Sequence, residues 1–396
     1  MIFRWTEPDG VRVAGSVLVA LAIFLSYRET WACEICLPAG MHSAAELVLE
    51  SEAVVLGRED AAIPDFARTV KVLQGNADEV ASDFFVVGQP PRRPGDRARE
   101  IICAYRDGAW QWVGQADSEF SLVVREILAR GEDWRRDPFE RVLYFSRFLG
   151  SGNRQVHNVA HLEVAGAPYG EIRRIPEALP VEELRSSLRN FRLSRWHPLY
   201  ILLLAQLAEE EDRALIEKKV RSAAAEGNPL HLAAWATAWI ELAGEPVLEF
   251  LAPAFLETPG RDFELVRQVL LALSVQGTEE LLDVGDQIVP AYRIALKNYP
   301  EAIPLVIGDL LKWEQWDLLP ETQAVLKSPP EWLKREDLIA LQVYQSRAFR
   351  AGSAPSQDEA AGAERGGKVW PLALAVVLLV AGTVTMSVKQ ARRGRQ

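Results

Sequence analysis

The 396-residue chain is poor in the residues that carry most catalytic chemistry: three cysteines, five histidines and three methionines. It also lacks the local patterns that mark common reaction centres. There is no Gly-x-Ser-x-Gly elbow, no Ser-x-x-Lys pair and no phosphate-binding glycine loop. Phe148-Leu149-Gly150-Ser151-Gly152-Asn153 reads instead as a turn between helices. Positive charge is scarce as well, since 44 Lys and Arg against 55 Asp and Glu leave a formal charge of −11. Such a surface repels phosphate backbones, and without a basic stripe the chain is not expected to bind nucleic acid.

Two apolar runs bracket what remains. Val13 to Ser26 extends about 20 Å as a helix, short of a bilayer's ~30 Å core. A basic flank (Arg4, Arg12) precedes it, and a polar stretch ending Thr30-Trp31-Ala32 follows. These are the three regions of a signal peptide over 1–32, with Cys33 as the first mature residue. Thr30-Trp31-Ala32-Cys33 lacks the leucine of a lipobox, which favours ordinary cleavage over lipidation. The second run, Val369 to Val388, is uncharged and long enough to span a membrane. Trp370 stands at one interface, and Lys389, Arg392, Arg393 and Arg395 follow the other, so the positive-inside rule puts 389–396 in the cytoplasm. Residues 351–368 have no apolar period and read as a flexible linker. The expectation is a single-pass cell-membrane protein with its bulk extracytoplasmic.

Between these runs, 33–136 reads as a β-rich domain. Ala53 to Arg58, Phe66 to Leu73, Phe84 to Val87, Ile101 to Tyr105 and Trp110 to Val113 are strand candidates separated by Gly and Pro turns. Helices are expected at Ser43 to Ser51 and Glu119 to Ala129. Five short strands with a following helix fit a small barrel of the oligonucleotide/oligosaccharide-binding type.

From 137 to 350 the apolar period is helical. Helix pairs are expected at Pro198–Ala208 with Arg213–Ala224, Leu230–Ala243 with Val247–Leu256, and Phe263–Val275 with Thr278–Ile288. Pro253 should kink or shorten its helix. The first members end near Ala208, Ala243 and Gln276, a recurrence of about 33–35 residues that marks stacked helical hairpins. The fold class expected is therefore α+β in separate domains: a barrel-like head, an α-solenoid and one C-terminal transmembrane helix.

Resemblances add to this. Leu202-Leu203-Leu204-Ala205-Gln206-Leu207 and Leu248-Glu249-Phe250-Leu251 lie in a region of about 190 residues that resembles HEAT-type repeat proteins. The head resembles the netrin/metalloproteinase-inhibitor barrel through its Cys at the mature end, Ser51-Glu52-Ala53-Val54-Val55-Leu56-Gly57, and Val70-Lys71-Val72-Leu73-Gln74-Gly75. In that family the N-terminal Cys binds a protease's catalytic metal, a role that would fall on Cys33. The family's Cys-x-Cys opening is Cys33-Glu34-Ile35-Cys36 here, which alters the chelating geometry. Gly366-Gly367, the apolar run and the Arg-rich end resemble C-terminal sorting tails that are cut after export. The whole arrangement is similar to uncharacterised exported bacterial proteins.

Few residues are candidates for chemistry. Cys33, Cys36 and Cys103 suit one disulfide with a thiol left over, and Cys103 bonded to Cys33 or Cys36 would tie the mature end to a strand. His157 and His161 share one helix face and have metal-ligand spacing, with Glu163 as a third donor, although the Glu of a zinc protease is missing from His-Asn-Val-Ala-His. Trp235 with Trp239 and Trp313 with Trp316 suit inter-repeat packing or a binding face. Glu209-Glu210-Glu211-Asp212 reads as a solvated acidic turn. No cofactor is expected. The reading is a membrane-anchored interaction protein that binds another protein through its repeats; the alternative is an exported metal-dependent enzyme or protease-inhibitor-like protein acting through the head or His157 and His161.

Overall fold

A computed structural model describes residues 35–37, 41–91, 97–176 and 178–353. The expected signal peptide, Cys33, most of the linker and the apolar run bounded by Val369, Trp370 and Val388 lie outside these residues. Among the described residues, no helix is long and apolar enough to cross a membrane.

Five strands close a barrel in the order β1-β2-β3-β5-β4: β1 Ala53–Glu59, β2 Phe66–Gln74, β3 Asp83–Val87, β4 Glu100–Arg106 and β5 Ala109–Gln115. All neighbours are antiparallel except β3 and β5, which are parallel and seal the barrel through Val86 and Val87 opposite Trp110 and Gln111. Inside lie Val55, Ala67, Phe84, Ile101, Cys103 and Trp110. Small residues face large ones here, and the rings of Phe84 and Trp110 sit 4.6 Å apart.

Alternate residues of the same strands point outward into a second core. Val54, Ile102, Ala104 and Val113 join the side chains of α1 (Ala44–Leu49) and α2 (Ser118–Arg136), and this core continues through the helical region as far as Tyr344. Strands β1 and β4 are thus buried on both faces, which is why Val54-Val55 and Ile101-Ile102-Cys103-Ala104 read as continuous apolar runs. The outward faces of the barrel strands and the helices share one core, beside the separate core of the barrel lumen.

The barrel is fastened at two further points. At Gly114, a Cβ would lie 2.3 Å from the Phe120 ring and 2.8 Å from Gln155 Oε1, so only glycine admits α2 and α4 (Arg154–Ala165) this closely. The Gln155 amide accepts from Gln115 N–H at 2.6 Å and donates to Gln115 C=O at 3.1 Å, continuing the strand's pairing with a side chain. Asp117 caps α2 at Phe120 N–H. Burial raises its carboxyl pKa, but that N–H and the amides of Asn153 and Gln155 outweigh it and hold the group below its ordinary value.

The remaining helices are α3 Pro138–Ser146, α5 Tyr169–Arg173, α6 Val181–Arg189, α7 His197–Leu207, α8 Glu210–Glu226, α9 Leu232–Ala243, α10 Leu248–Leu251, α11 Phe263–Thr278, α12 Val289–Asn298, α13 Ile303–Lys312, α14 Leu319–Lys327 and α15 Arg335–Ser353. Successive contacts join α7 to α9, α9 to α11 and α11 to α13, forming one layer. Along the other side α8 packs on α9, and α12 packs on the turn after α10 and on α14. Two expected helices differ. After α10 the chain widens into a π turn, Ala252–Leu256, closed by Glu257 N–H to Ala252 C=O at 2.9 Å. Pro253 has no N–H to continue the α ladder, so the kink expected there takes this form. Thr278–Ile288 is not one helix: α11 runs on to Thr278, and a second π turn, Val284–Ile288, precedes α12. Asp283 starts that turn by accepting Asp286 N–H at 2.6 Å.

Candidate functional site

His157 and His161 do share one face of α4, and their rings stack 3.9 Å apart. The nitrogens of His161 are used internally, however. His161 is fully buried, with Nδ1 2.8 Å from His157 C=O and Nε2 2.7 Å from the Tyr200 hydroxyl. A carbonyl only accepts, so Nδ1 carries the proton and Nε2 accepts from Tyr200. Burial, helped by neighbouring His157, lowers the His161 pKa to about 3 and keeps the ring neutral.

Glu163 is turned away from the pair. Its carboxylate accepts from Arg141 Nη2 at 2.7 Å and Nε at 2.5 Å, and from the hydroxyl of Ser43, the N-cap of α1. Among the described residues no group of three or more His, Cys, Asp or Glu is arranged to hold a metal. His161 and Glu163 are therefore taken up by internal hydrogen bonds, those of Glu163 tying α1, α3 and α4 together.

The cysteines also separate. Cys103 is an unbonded thiol inside the barrel, while Cys36 lies buried in the main core. Cys103 and Cys36 therefore do not bond to each other, because the Cys103 side chain points into the lumen; Cys33, the other expected partner, lies outside the described residues. Burial, with Glu59 nearby, raises that thiol's pKa to about 12. Trp235 and Trp239 are core residues, and Trp313 and Trp316 pack against the same core.

The acidic turn is not simply solvated. Arg185 of α6 reaches into it: Nε and Nη2 donate to Asp212 at 2.9 and 2.7 Å, and Nη2 also donates to Glu209 at 2.6 Å. Nη1 pairs with Glu182 at 2.6 Å and Glu211 at 2.9 Å. These bonds to Asp212 and Glu209 raise the Arg185 pKa and, reciprocally, lower that of Asp212.

This fan of carboxylates closes one end of a cleft of about 660 Å³, walled by α6 and α8 and floored by α7 and the start of α9. Its volume falls in the range typical of ligand sites. Leu188, Leu204, Leu215, Leu230 and Trp235 supply apolar lining, and His197 and His231 meet edge-to-face at 5.5 Å. Burial and the neighbouring His197 lower the His231 pKa to about 4. His231 also holds φ at 57°, a left-handed backbone that glycine adopts without strain. Arg189, Lys219 and Glu226 stand exposed along the walls.

Sequence reasoning missed this cleft, though one signal pointed to it. His197 and His231 lie 34 positions apart (197 to 231), within the helical recurrence, so they open α7 and α9 at equivalent places. Comparison of the chain with protein-family models, curated proteins and solved structures gives no match, so the functional reading rests on the cleft's geometry.

Proposed function

We propose that this protein is an extracytoplasmic binding protein, held in a membrane by Val369 to Val388, whose HEAT-like helical repeats present the α6–α8 cleft to another protein. The observation that carries this reading is the cleft itself: apolar lining, two imidazoles meeting edge-to-face and exposed charges on its walls, in a volume of about 660 Å³. The side-by-side packing of α7, α9, α11 and α13 supports the repeat reading. Protein recognition also agrees with the two large exposed leucines, Leu215 and Leu230, that share this concavity.

A photo-crosslinking amino acid placed at Leu230 of the full-length protein, in its own membranes, tests the proposal. One defined cross-linked species is expected from Leu230 and none from exposed Glu249 on α10. Equal products from both positions, or none from either, would refute it. Alkaline carbonate should leave the intact chain in the membrane pellet and release a chain ending at Lys368; release of both would remove the anchor.

A further inference from the structure

We infer that the α6–α8 cleft takes an extended peptide segment that pairs apolar side chains with a carboxylate, the carboxylate held by Arg189 and Lys219. The inference deepens the binding role proposed above and rests on it.

The charges argue first. Six charged side chains line the cleft: Arg185, Arg189, Lys219, Glu211, Asp212 and Glu226. Arg185, Glu211 and Asp212 already satisfy one another at the closed end. Arg189 on one wall and Lys219 on the other make no ion pair among the described residues, which leaves two lining cations against Glu226. The six lining charges sum to zero, so the positive surplus is confined to the part of the cleft where these two cations face Glu226. An uncharged occupant would strip water from both cations and return nothing, whereas a carboxylate replaces that water with charge-assisted hydrogen bonds.

Shape and polarity set the rest of the occupant. Leu230 is 58% exposed and Leu215 37%, and both open onto the same cavity as the more buried Leu188 and Leu204. Apolar side chains flanking the carboxylate would cover them. The rim residues Arg189, Lys219, Glu226, Asn228 and Leu230 are exposed, so a continuous chain can enter and leave along the walls. His197 and His231 add hydrogen-bonding groups on the floor: His197 Nε2 donates to Asn190 C=O at 3.2 Å, and burial keeps His231 neutral.

The test uses the full-length protein in detergent and three labelled, acetylated pentapeptides with two leucines on each side of a central aspartate, asparagine or lysine. Fluorescence anisotropy should show the aspartate peptide binding at least about tenfold more tightly than the asparagine peptide. Arg189→Glu with Lys219→Glu should invert the order, so that the lysine peptide binds best. Leu230→Ser should weaken all three equally. The substituted side chains are exposed, and unchanged thermal melting checks that the fold is kept. Equal affinity of the wild type for the aspartate and asparagine peptides overturns the inference, as does a preference that survives the double substitution. A dimer of the protein that the double substitution dissolves would put a second copy in the cleft, and overturns it too. If cross-linking at Leu230 persists while the charge preference is absent, the acidic segment is wrong and the binding role stands. If both are absent, both fall.

Discussion

Removing the Glu163 carboxylate should destabilise the protein more than any surface substitution, because it strands a cation in the core. Glu163 has a side-chain exposure of 5% and is held by two nitrogens of Arg141 and the Ser43 hydroxyl. Arg141, itself only 24% exposed, pairs with no other carboxylate among the described residues, although Glu46 and Glu50 lie near enough to act on its charge. Breaking a buried pair from one side typically costs about 3–5 kcal/mol, because the remaining charge is left without a partner. With an unfolding entropy of about 2.1 cal/mol/K per residue over roughly 300 residues, that loss lowers Tm by about 5–8 °C. Glu163→Gln is the sharper choice, since it keeps the shape and can still accept from Ser43. Arg141→Leu with Glu163→Leu should recover most of the loss, because two apolar groups of similar volume leave nothing unsatisfied. Thermal unfolding of the full-length protein, followed by tryptophan fluorescence, supplies the cycle. If Glu163→Gln shifts Tm by less than 2 °C, or the double leucine variant melts no higher than Glu163→Gln, the pair does not fasten α1 to α4 as argued.

Three further outcomes follow from groups described above. The unfolded chain protonates His161 below its ordinary value of 6.5, whereas the folded chain waits until about 3, so stability is complete above pH 6.5 and falls by about 1.4 kcal/mol per unit below it. His161→Gln should flatten the dependence of urea midpoints between pH 7 and 5 by about one proton; identical slopes would contradict the burial of a neutral ring. Cys103, a buried thiol whose pKa is raised to about 12, should resist iodoacetamide at pH 8 in the folded protein and react once urea unfolds it. Gly114→Ala should cost about 1–3 kcal/mol through overlap with Phe120, visible as a lower denaturant midpoint at unchanged slope.

The strands were legible because each is short, apolar and punctuated, and Val54-Val55 and Ile101-Ile102 carry enough β-branched residues to decide the matter. The burial of β1 and β4 on both faces was not read from their apolar runs. Sequence spacing says that Val54 and Val55 point to opposite sides; it does not say that one side is a lumen and the other a core shared with α2. The same limit applies to Cys103: its place in a strand was read correctly, but the strand pattern does not say that it faces the lumen. His157 and His161 were placed on one face correctly, yet their chemistry was settled by Tyr200, which sits on another helix. The cleft depends on Arg185 finding Asp212 and Glu209 across two helices, a tertiary event that no local pattern records. His197 and His231 are the exception, because the helical recurrence pairs them.

The shared core has a consequence for how the chain is made. Val54, Ile102, Ala104 and Val113 face outward from a barrel that is complete at Gln115, and α4, which helps to cover that side, ends at Ala165. The intervening 50 residues (115 to 165) take about 3–10 s to emerge at a synthesis rate of roughly 5–20 residues per second. Until α2 and α4 have emerged, a closed, hydrogen-bonded barrel carries an oily flank that α1 alone helps to cover. The newborn head is therefore a client for whatever factor shields nascent chains, and its vulnerability ends only when the helices arrive.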